Sequence, residues 1–109
     1  MLDYDFIFKK GILFIRLKGD ITKETSSLFI DEINPLILDN GIRNVVFNVS
    51  KLRNVDKYGI KVLYNSCLTL NQKSEIEISG IPYCLRKRFC YLLKHIKERE
   101  DEYTILMRN

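Results

Sequence analysis

The feature that most constrains this chain is a change of hydrophobic period between residues 44 and 70. A short β-branched and aromatic run without a helical stripe predicts a buried strand: Val45, Val46, Phe47 and Val49. Residues 50–55 are polar apart from two apolar anchors and predict a loop. Beyond Gly59 the apolar residues recur at helical spacing and predict a helix with one apolar face: Ile60, Leu63, Cys67 and Leu70. The centre of the chain is therefore a strand, a loop and an amphipathic helix.

Asp56 lies immediately before this predicted helix. A carboxylate there can accept the free backbone N–H groups of the first turn, and it meets the positive end of the helix dipole. A helix start of this kind can bind an anion or present a recognition surface. We therefore expect Asp56 to be the N-cap of this helix, and the first turn of the helix to be exposed for binding.

The residues before this centre predict a hairpin and a first helix. Residues 3–8 and 12–18 form the two strands, and Gly19 is expected to end the second one. The helix stops at residues 40–41, and its cap is one of three residues: Asp20, Thr22 or Thr25. Pro35 lies inside it, so we expect a kink or a restart there.

The residues after the central helix predict two more strands and a third helix. Residues 75–78 alternate as a strand, and a helix begins at residues 80–82 with Pro at a tolerated early position. Its apolar stripe is Leu85, Phe89, Leu92 and Ile96. Residues 97–102 predict a charged link, and residues 103–107 predict a last short strand.

The predicted order of elements is β-β-α-β-α-β-α-β. Strands that alternate with helices imply crossover connections and parallel neighbours, whereas the opening hairpin is antiparallel. The pattern predicts an α/β sandwich with a mixed sheet. The 109 residues suit one domain, so we expect a single domain over residues 1–109.

Three segments, in order, resemble segments of a known family. The central one reads FNVSKLRNVDKYGIKVL, and it lies between GDITKETSSLF and ISGIPYCLRKRF. The chain is identified as a member of the STAS domain family, which includes bacterial anti-sigma factor antagonists and the cytoplasmic tails of sulfate transporters. The resemblance implies a STAS-like α/β fold, in which a mixed four- to five-stranded β-sheet has helices packed on one face.

The chain departs from the family at the residue that matters most for regulation. Family switches are phosphorylated on the first Ser of an Asp-Ser-Ser-Gly sequence. Asp56 and Gly59 match that sequence, but Lys57 and Tyr58 replace the two serines. The resemblance therefore implies a docking module that is not regulated by phosphorylation at the usual position.

The resemblance also implies where a partner docks. The docking surface comprises the loop before the first helix, the turn at residues 56–59 and outward residues of the second helix. Its residues are Asp20, Thr22, Lys23, Asp56, Lys57, Tyr58, Gly59, Lys61 and Asn65. The implied partner is a serine kinase that is also an anti-sigma factor, in a partner-switching system. The alternative is an adaptor that docks in a larger transport, envelope or motility complex, and a weaker third option is a small-ligand sensor.

Catalysis, metal binding and nucleic-acid binding find little support in the sequence. No nucleophile–base motif, phosphate loop or metal-spaced Cys/His cluster is present, so we expect no enzymatic activity, no metal and no cofactor. His95 is read as solvated surface, and the three cysteines as free thiols in a reducing compartment. The Arg86–Arg88 cluster lacks stacking aromatics and is read as a solvated helix face.

Membrane insertion and secretion find no support either. No apolar run approaches the roughly 20 residues that a membrane-spanning helix needs. The N-terminus carries acidic residues where a signal peptide is basic. We therefore expect a cytoplasmic protein without membrane insertion.

Overall fold

The computed structural model describes residues 1–99. Five strands form one sheet in the order β1-β2-β3-β4-β5. Their bounds are Leu2–Lys9, Ile12–Ile21, Asn44–Val55, Glu75–Ser79 and Lys97–Glu98. The first pair is antiparallel and every other pair is parallel. This is the predicted mixed α/β sheet. The predicted strand at residues 103–107 lies outside the described residues.

The helical segments differ in regularity. The longest is α3 at Lys57–Asn71. The first helical region is a succession of a 3-10 turn at Lys23–Thr25, α1 at Ser26–Leu28, a π-helical segment at Phe29–Ile33 and α2 at Asn34–Asp39. The last region has 3-10 turns at Tyr83–Leu85 and Leu92–Lys94 on either side of α4 at Arg86–Phe89. The third helix is therefore shorter than predicted, and 3-10 turns replace its two ends.

Pro35 marks the predicted restart in the first helical region. The amide of Asn34 donates to the carbonyl oxygen of Phe29, five residues back, and α2 begins at that residue. Proline has no N–H to donate, and the widened π-type turn ends directly before it. The expected interruption is confirmed.

One continuous core lies between the sheet and the helices. The strands contribute alternate residues to it: Leu13, Ile15, Leu17, Val45, Phe47, Val49, Ile76 and Ile78. The helical segments contribute Phe29, Ile33, Ile37, Leu63, Cys67, Leu70, Leu85, Phe89 and Leu92. The Phe29 and Phe47 rings meet with their centroids 6.5 Å apart. The apolar residues of all three helical regions thus pack on one face of the sheet.

Two strands are longer than predicted. Gly19 does not end β2, and residues 50–55 are not a loop, because β2 and β3 remain paired as far as Ile21 and Val55. The pairing shifts register on either side of residues 18–19, so this extension is irregular. Residues 97–98, predicted as part of a charged link, pair with β4 instead. Backbone pairing with a neighbouring strand has outweighed the local polar pattern in each case.

Candidate functional site

Two segments that are distant in sequence meet at the carboxyl ends of β2 and β3. Ile21 lies opposite Val55 in the sheet, and the amide of Asp56 donates to the carbonyl oxygen of Ile21 at 3.4 Å. The turn after β2 and the start of α3 are therefore neighbours. The residues of these two segments that were predicted to bind a partner therefore lie close together in space.

Asp56 is the N-cap of α3, as predicted. Its Oδ1 accepts the backbone N–H of Gly59 at 2.6 Å, and its backbone is extended. Its carbonyl oxygen accepts the first intrahelical bond from Ile60 at 3.0 Å. One carboxylate oxygen is thus engaged within the chain, which makes Asp56 the residue that holds the helix start in place.

Gly59 contributes to this site through its backbone. It is buried, and a Cβ atom added to it would lie 1.9 Å from the carbonyl oxygen of Ile21. No real Cβ tolerates such a contact, so only glycine permits α3 to approach the end of β2 this closely. Gly59 therefore fixes the relative position of the two segments and is not itself accessible to a partner.

The turn between β2 and α1 is held by Thr25. Its hydroxyl accepts the amide of Thr22 at 2.9 Å and lies within hydrogen-bond distance of the carbonyl oxygens of Thr22 and Asp20. The tip of this turn, Lys23 and Glu24, is exposed. Sequence reasoning treated Thr25 only as one of three caps, although the Thr-x-x-Thr spacing resembles that of a capping box.

Asp20 is anchored by two cations. Its Oδ2 lies 3.2 Å from the N-terminal amino group of Met1 and 3.4 Å from the Arg53 guanidinium. Arg53, whose side chain is mostly exposed, was absent from the sequence-based site. It enters the site because the extension of β3 places it beside the end of β2. Asp20 therefore contributes an ion-paired carboxylate.

The exposed part of the site is a ridge along α3, here called the α3 ridge, formed by Lys57, Tyr58, Lys61 and Asn65. The spacing of Tyr58, Lys61 and Asn65 places them on one face of the helix. Lys57 Nζ lies 5.7 Å from the centroid of the Tyr58 ring, within range of a cation–π interaction. The α3 ridge is a basic and aromatic surface next to the Thr22–Thr25 turn.

A groove of about 170 Å³ borders the α3 ridge on the side of the π-helical segment. Its polar lining includes Ser26, Asn34, Asn65 and Ser66, and the Ser66 hydroxyl donates to Asn34 Oδ1. Sequence reasoning missed this groove because its walls come from residues 26–34 and 62–69, which no motif links. Asn65 is the one predicted docking residue that lines it.

Ser50 is a hydroxyl-bearing residue that precedes Lys57 in the chain but lies far from it. It is within β3, six residues before Asp56. A strand rises about 3.3 Å per residue, so the two residues are roughly 20 Å apart. Ser50 donates instead to Asn48 Oδ1 at 2.6 Å and lies against Gly80. The threonine hydroxyls in the turn beside the helix start are those of Thr22 and Thr25.

The other titratable side chains fall outside this site. Cys67 is buried, and burial alone raises the pKa of its thiol to about 12. Cys84 and Cys90 are exposed free thiols. His95 is exposed, as predicted, but its ring also packs against the rings of Tyr64 and Tyr91, with centroids 5.4 Å apart in both pairs. Within residues 1–99 no cluster of His, Cys, Asp and Glu could hold a metal ion.

Among residues 1–99, no helix combines the length and the hydropathy needed to cross a lipid bilayer.

Fold and site together define an α/β domain that carries helices on one face of a mixed sheet and presents an Asp-capped helix start beside a loop. The chain belongs to the STAS domain family, whose model matches residues 4–98. The sequence-based assignment is confirmed.

Solved anti-sigma factor antagonists share this fold. One from Mycobacterium paratuberculosis is 13% identical, with a TM-score of 0.79 over 99% of this chain and 93% of that one. SpoIIAA, an anti-sigma factor antagonist in its unphosphorylated form, is 13% identical, with a TM-score of 0.70 over 97% of this chain and 96% of its own. SpoIIAA of Bacillus in the phosphorylated form is 15% identical, with a TM-score of 0.68 over 98% of this chain and 100% of its own. At these identities the likeness is one of fold.

Proposed function

We propose that this protein is a non-catalytic docking module of the anti-sigma factor antagonist type. Its partner is a serine kinase that is also an anti-sigma factor, and binding withholds that partner from its sigma factor. The observation that carries the proposal is the exposure of Lys57 and Tyr58 on a helix start that Asp56 and Gly59 hold rigidly. An exposed Tyr beside a cation on a fixed backbone is typical of residues that anchor protein interfaces.

The charge of the docking surface indicates the charge of the partner surface that binds to it. Lys23, Lys57 and Lys61 are exposed, and none forms an ion pair with another residue in the described part of the chain. The acidic residues here are Asp20, which is already paired, Asp56, which caps the helix, and Glu24. Free cations therefore dominate, and complementarity favours an acidic patch on the partner.

Regulation of this protein differs from that of family members that are switched by phosphorylation of a serine. A phosphoserine carries roughly −1.5 to −2 charges at neutral pH, whereas Lys57 carries the opposite charge and has no hydroxyl. Lys57 can neither accept the phosphate nor imitate it. The complex is therefore constitutive, or controlled by the abundance of this protein. We place it in the cytoplasm, without binding to nucleic acid.

The first experiment identifies the partner and then measures docking. The tagged protein is used to capture its partner from the native cell, and the dissociation constant is measured by calorimetry for the parent and for Lys57→Glu. A kinase partner with binding weakened at least about tenfold by Lys57→Glu supports the proposal. Lys73→Glu, an equal change of charge at an exposed turn beyond the other end of α3, is the matched control and leaves binding unchanged.

The second experiment tests whether this protein has lost regulation by phosphorylation. The protein is incubated with the captured kinase and ATP, and phosphate is mapped by mass spectrometry. We expect no phosphorylation in the parent and phosphorylation at the new hydroxyl in Lys57→Ser. A phosphothreonine at Thr22 that releases the partner would show that the switch has moved to the neighbouring turn.

The adaptor function remains the second candidate because Lys57 removes the family phosphoacceptor. An adaptor needs a permanent surface and no switch. Capture of transport, envelope or motility components without a kinase would favour it. So would binding that is unaffected by both Lys57→Ser and Lys57→Glu, because the docking surface would then lie elsewhere.

A further inference from the structure

Strand β1 is an exposed apolar edge of the sheet. It is terminal in the strand order, and no strand within residues 1–99 pairs with its outer side. Three consecutive residues on it are about half exposed: Phe6 at 49%, Ile7 at 52% and Phe8 at 57%. A long regular edge with exposed apolar side chains is a template for pairing with another strand.

The usual devices that protect such an edge are weak here. β1 pairs with β2 without a bulge from Leu2 to Lys9, and it contains no proline. Phe6 and Phe8 lie opposite the core residues Ile15 and Leu13, so they project on the helix side of the sheet. Ile7 lies opposite Phe14 and projects on the other side. Both faces of the edge therefore offer apolar contacts.

The charges of β1 are arranged for antiparallel self-pairing. Acidic residues lie at its beginning and Lys9 at its end. Asp5 is held by Arg16 at 2.6 Å and by Lys18 at 3.7 Å. Asp3 and Lys9 form no ion pair with any residue of the described chain. Asp3 Oδ1 accepts the backbone N–H of Tyr4 at 2.8 Å, so this acid has a hydrogen bond but no ion pair. Two antiparallel copies of this strand place Asp3 of each copy against Lys9 of the other.

We propose that a second copy of this chain pairs with the outer edge of β1, antiparallel and about a two-fold axis at Phe6. Residues opposite each other in an antiparallel pair lie on the same face, so this register places Phe6 against Phe6, Tyr4 against Phe8 and Asp3 against Lys9. Each contact other than Phe6 with Phe6 occurs twice, as an isologous interface requires. The two sheets become one continuous sheet.

This register is favoured over the one with its axis at Ile7. That neighbouring register places Asp5 opposite Lys9, but Asp5 is already bound to Arg16 and Lys18. The Phe6 register instead uses Asp3, which forms no ion pair within the described residues. The interface lies away from the α3 ridge, so the inference does not depend on the proposed function.

A charge-reversal cycle tests the interface on the full chain by sedimentation equilibrium at low salt. The parent is expected to be a dimer. Lys9→Glu places a carboxylate opposite Asp3 of the other copy at both ends of the interface. This repulsion is expected to raise the dimer dissociation constant roughly tenfold. Asp3→Lys does the same, and Asp3→Lys with Lys9→Glu returns the constant to within about threefold of the parent. Lys73→Glu, on the turn after α3, is the charge-matched control and changes nothing.

A check of the fold accompanies each variant, because Asp3 also lies opposite Lys18 within the monomer. Unfolding is followed by circular dichroism, and hydrogen exchange of the β1 amides is measured at two protein concentrations. Protection that increases with concentration supports the dimer. The proposal is overturned by a parent that stays monomeric at its highest soluble concentration, or by a double variant that fails to recover. A monomer whose β1 amides are protected at every concentration also overturns it, because the edge is then covered from within the chain.

Discussion

The α-carbon of Gly59, at the start of α3, lies so close to the end of β2 that a Cβ would be 1.9 Å from the carbonyl oxygen of Ile21 and 2.6 Å from its carbonyl carbon. Both obstructing atoms are backbone, so neither can rotate away. The amide of Asp56 is hydrogen-bonded to the same carbonyl oxygen. This contact sets the position of the α3 ridge relative to the Thr22–Thr25 turn.

Gly59→Ala is expected to destabilise the protein by about 2 kcal/mol. The gain in helix propensity is about 1 kcal/mol, but the overpacking cost reaches roughly 3 kcal/mol because backbone must move. Chemical denaturation measures the difference. Asn65→Ala, at an exposed position of the same helix, is the control and should change the free energy of unfolding by less than about 0.5 kcal/mol. A fully stable Gly59→Ala variant would show that α3 approaches β2 less closely.

Asp56→Ala is expected to cost about 1 kcal/mol, because the amide of Gly59 loses its acceptor. Asp56→Asn retains an acceptor oxygen and should cost a few tenths of that amount. The free energies of unfolding of the three proteins are compared in urea. Equal losses in both variants would indicate that the carboxylate charge, rather than the hydrogen bond, stabilises the start of α3.

Lys57→Glu is expected to raise stability by roughly 0.3–1 kcal/mol, because an anion in the first turn favours the helix dipole where Lys opposes it. The same change weakens partner binding if the proposed function holds. The free energy of unfolding is therefore expected to rise while the affinity for the partner falls. A residue with a purely structural role would not change the two quantities in opposite directions. A gain in stability that disappears in high salt would confirm its electrostatic origin.

Glu98→Gln tests the pH dependence of the link between α4 and β5. Two hydrogen bonds at 2.7 and 2.8 Å join the Arg86 guanidinium to the carboxylate of Glu98, and they lower the pKa of that carboxyl group. The stabilisation is therefore present above the unfolded pKa and is lost as the pH falls through the folded pKa. At pH 7 we expect a loss of about 0.5–1 kcal/mol that vanishes in acid. Glu75→Gln, at the exposed first residue of β4, is the control, because Glu75 forms no ion pair with any residue of the described chain.

The three cysteines are expected to react in two classes. Cys84 and Cys90 are exposed and should react with a thiol reagent in the native protein at neutral pH. Cys67 is buried, and because burial raises the pKa of its thiol to about 12, it should react only after unfolding. Counting released chromophore before and after adding denaturant checks this. Reaction of all three thiols in the native state would mean that α3 opens readily.

Local patterns in the sequence were sufficient for most of the fold. The switch from a β-branched run to a helical stripe predicted β3 and α3, and Asp56 was correctly identified as the cap between them. These predictions succeeded because burial on one face imposes a period on neighbouring residues, and because a cap acts within three residues. The order of three segments was also enough for the family, whose model matches residues 4–98.

Non-local pairing decided what local patterns could not. Residues 50–55 are polar, yet they continue β3 because Ile21 and Val55 remain partners across the sheet, and this places Arg53 beside Asp20. The groove between residues 26–34 and 62–69 likewise depends on contacts between residues that are far apart in the chain. A single sequence determines which side of each element is apolar, whereas the distance between elements depends on contacts between residues far apart in the chain, such as Gly59 and Ile21.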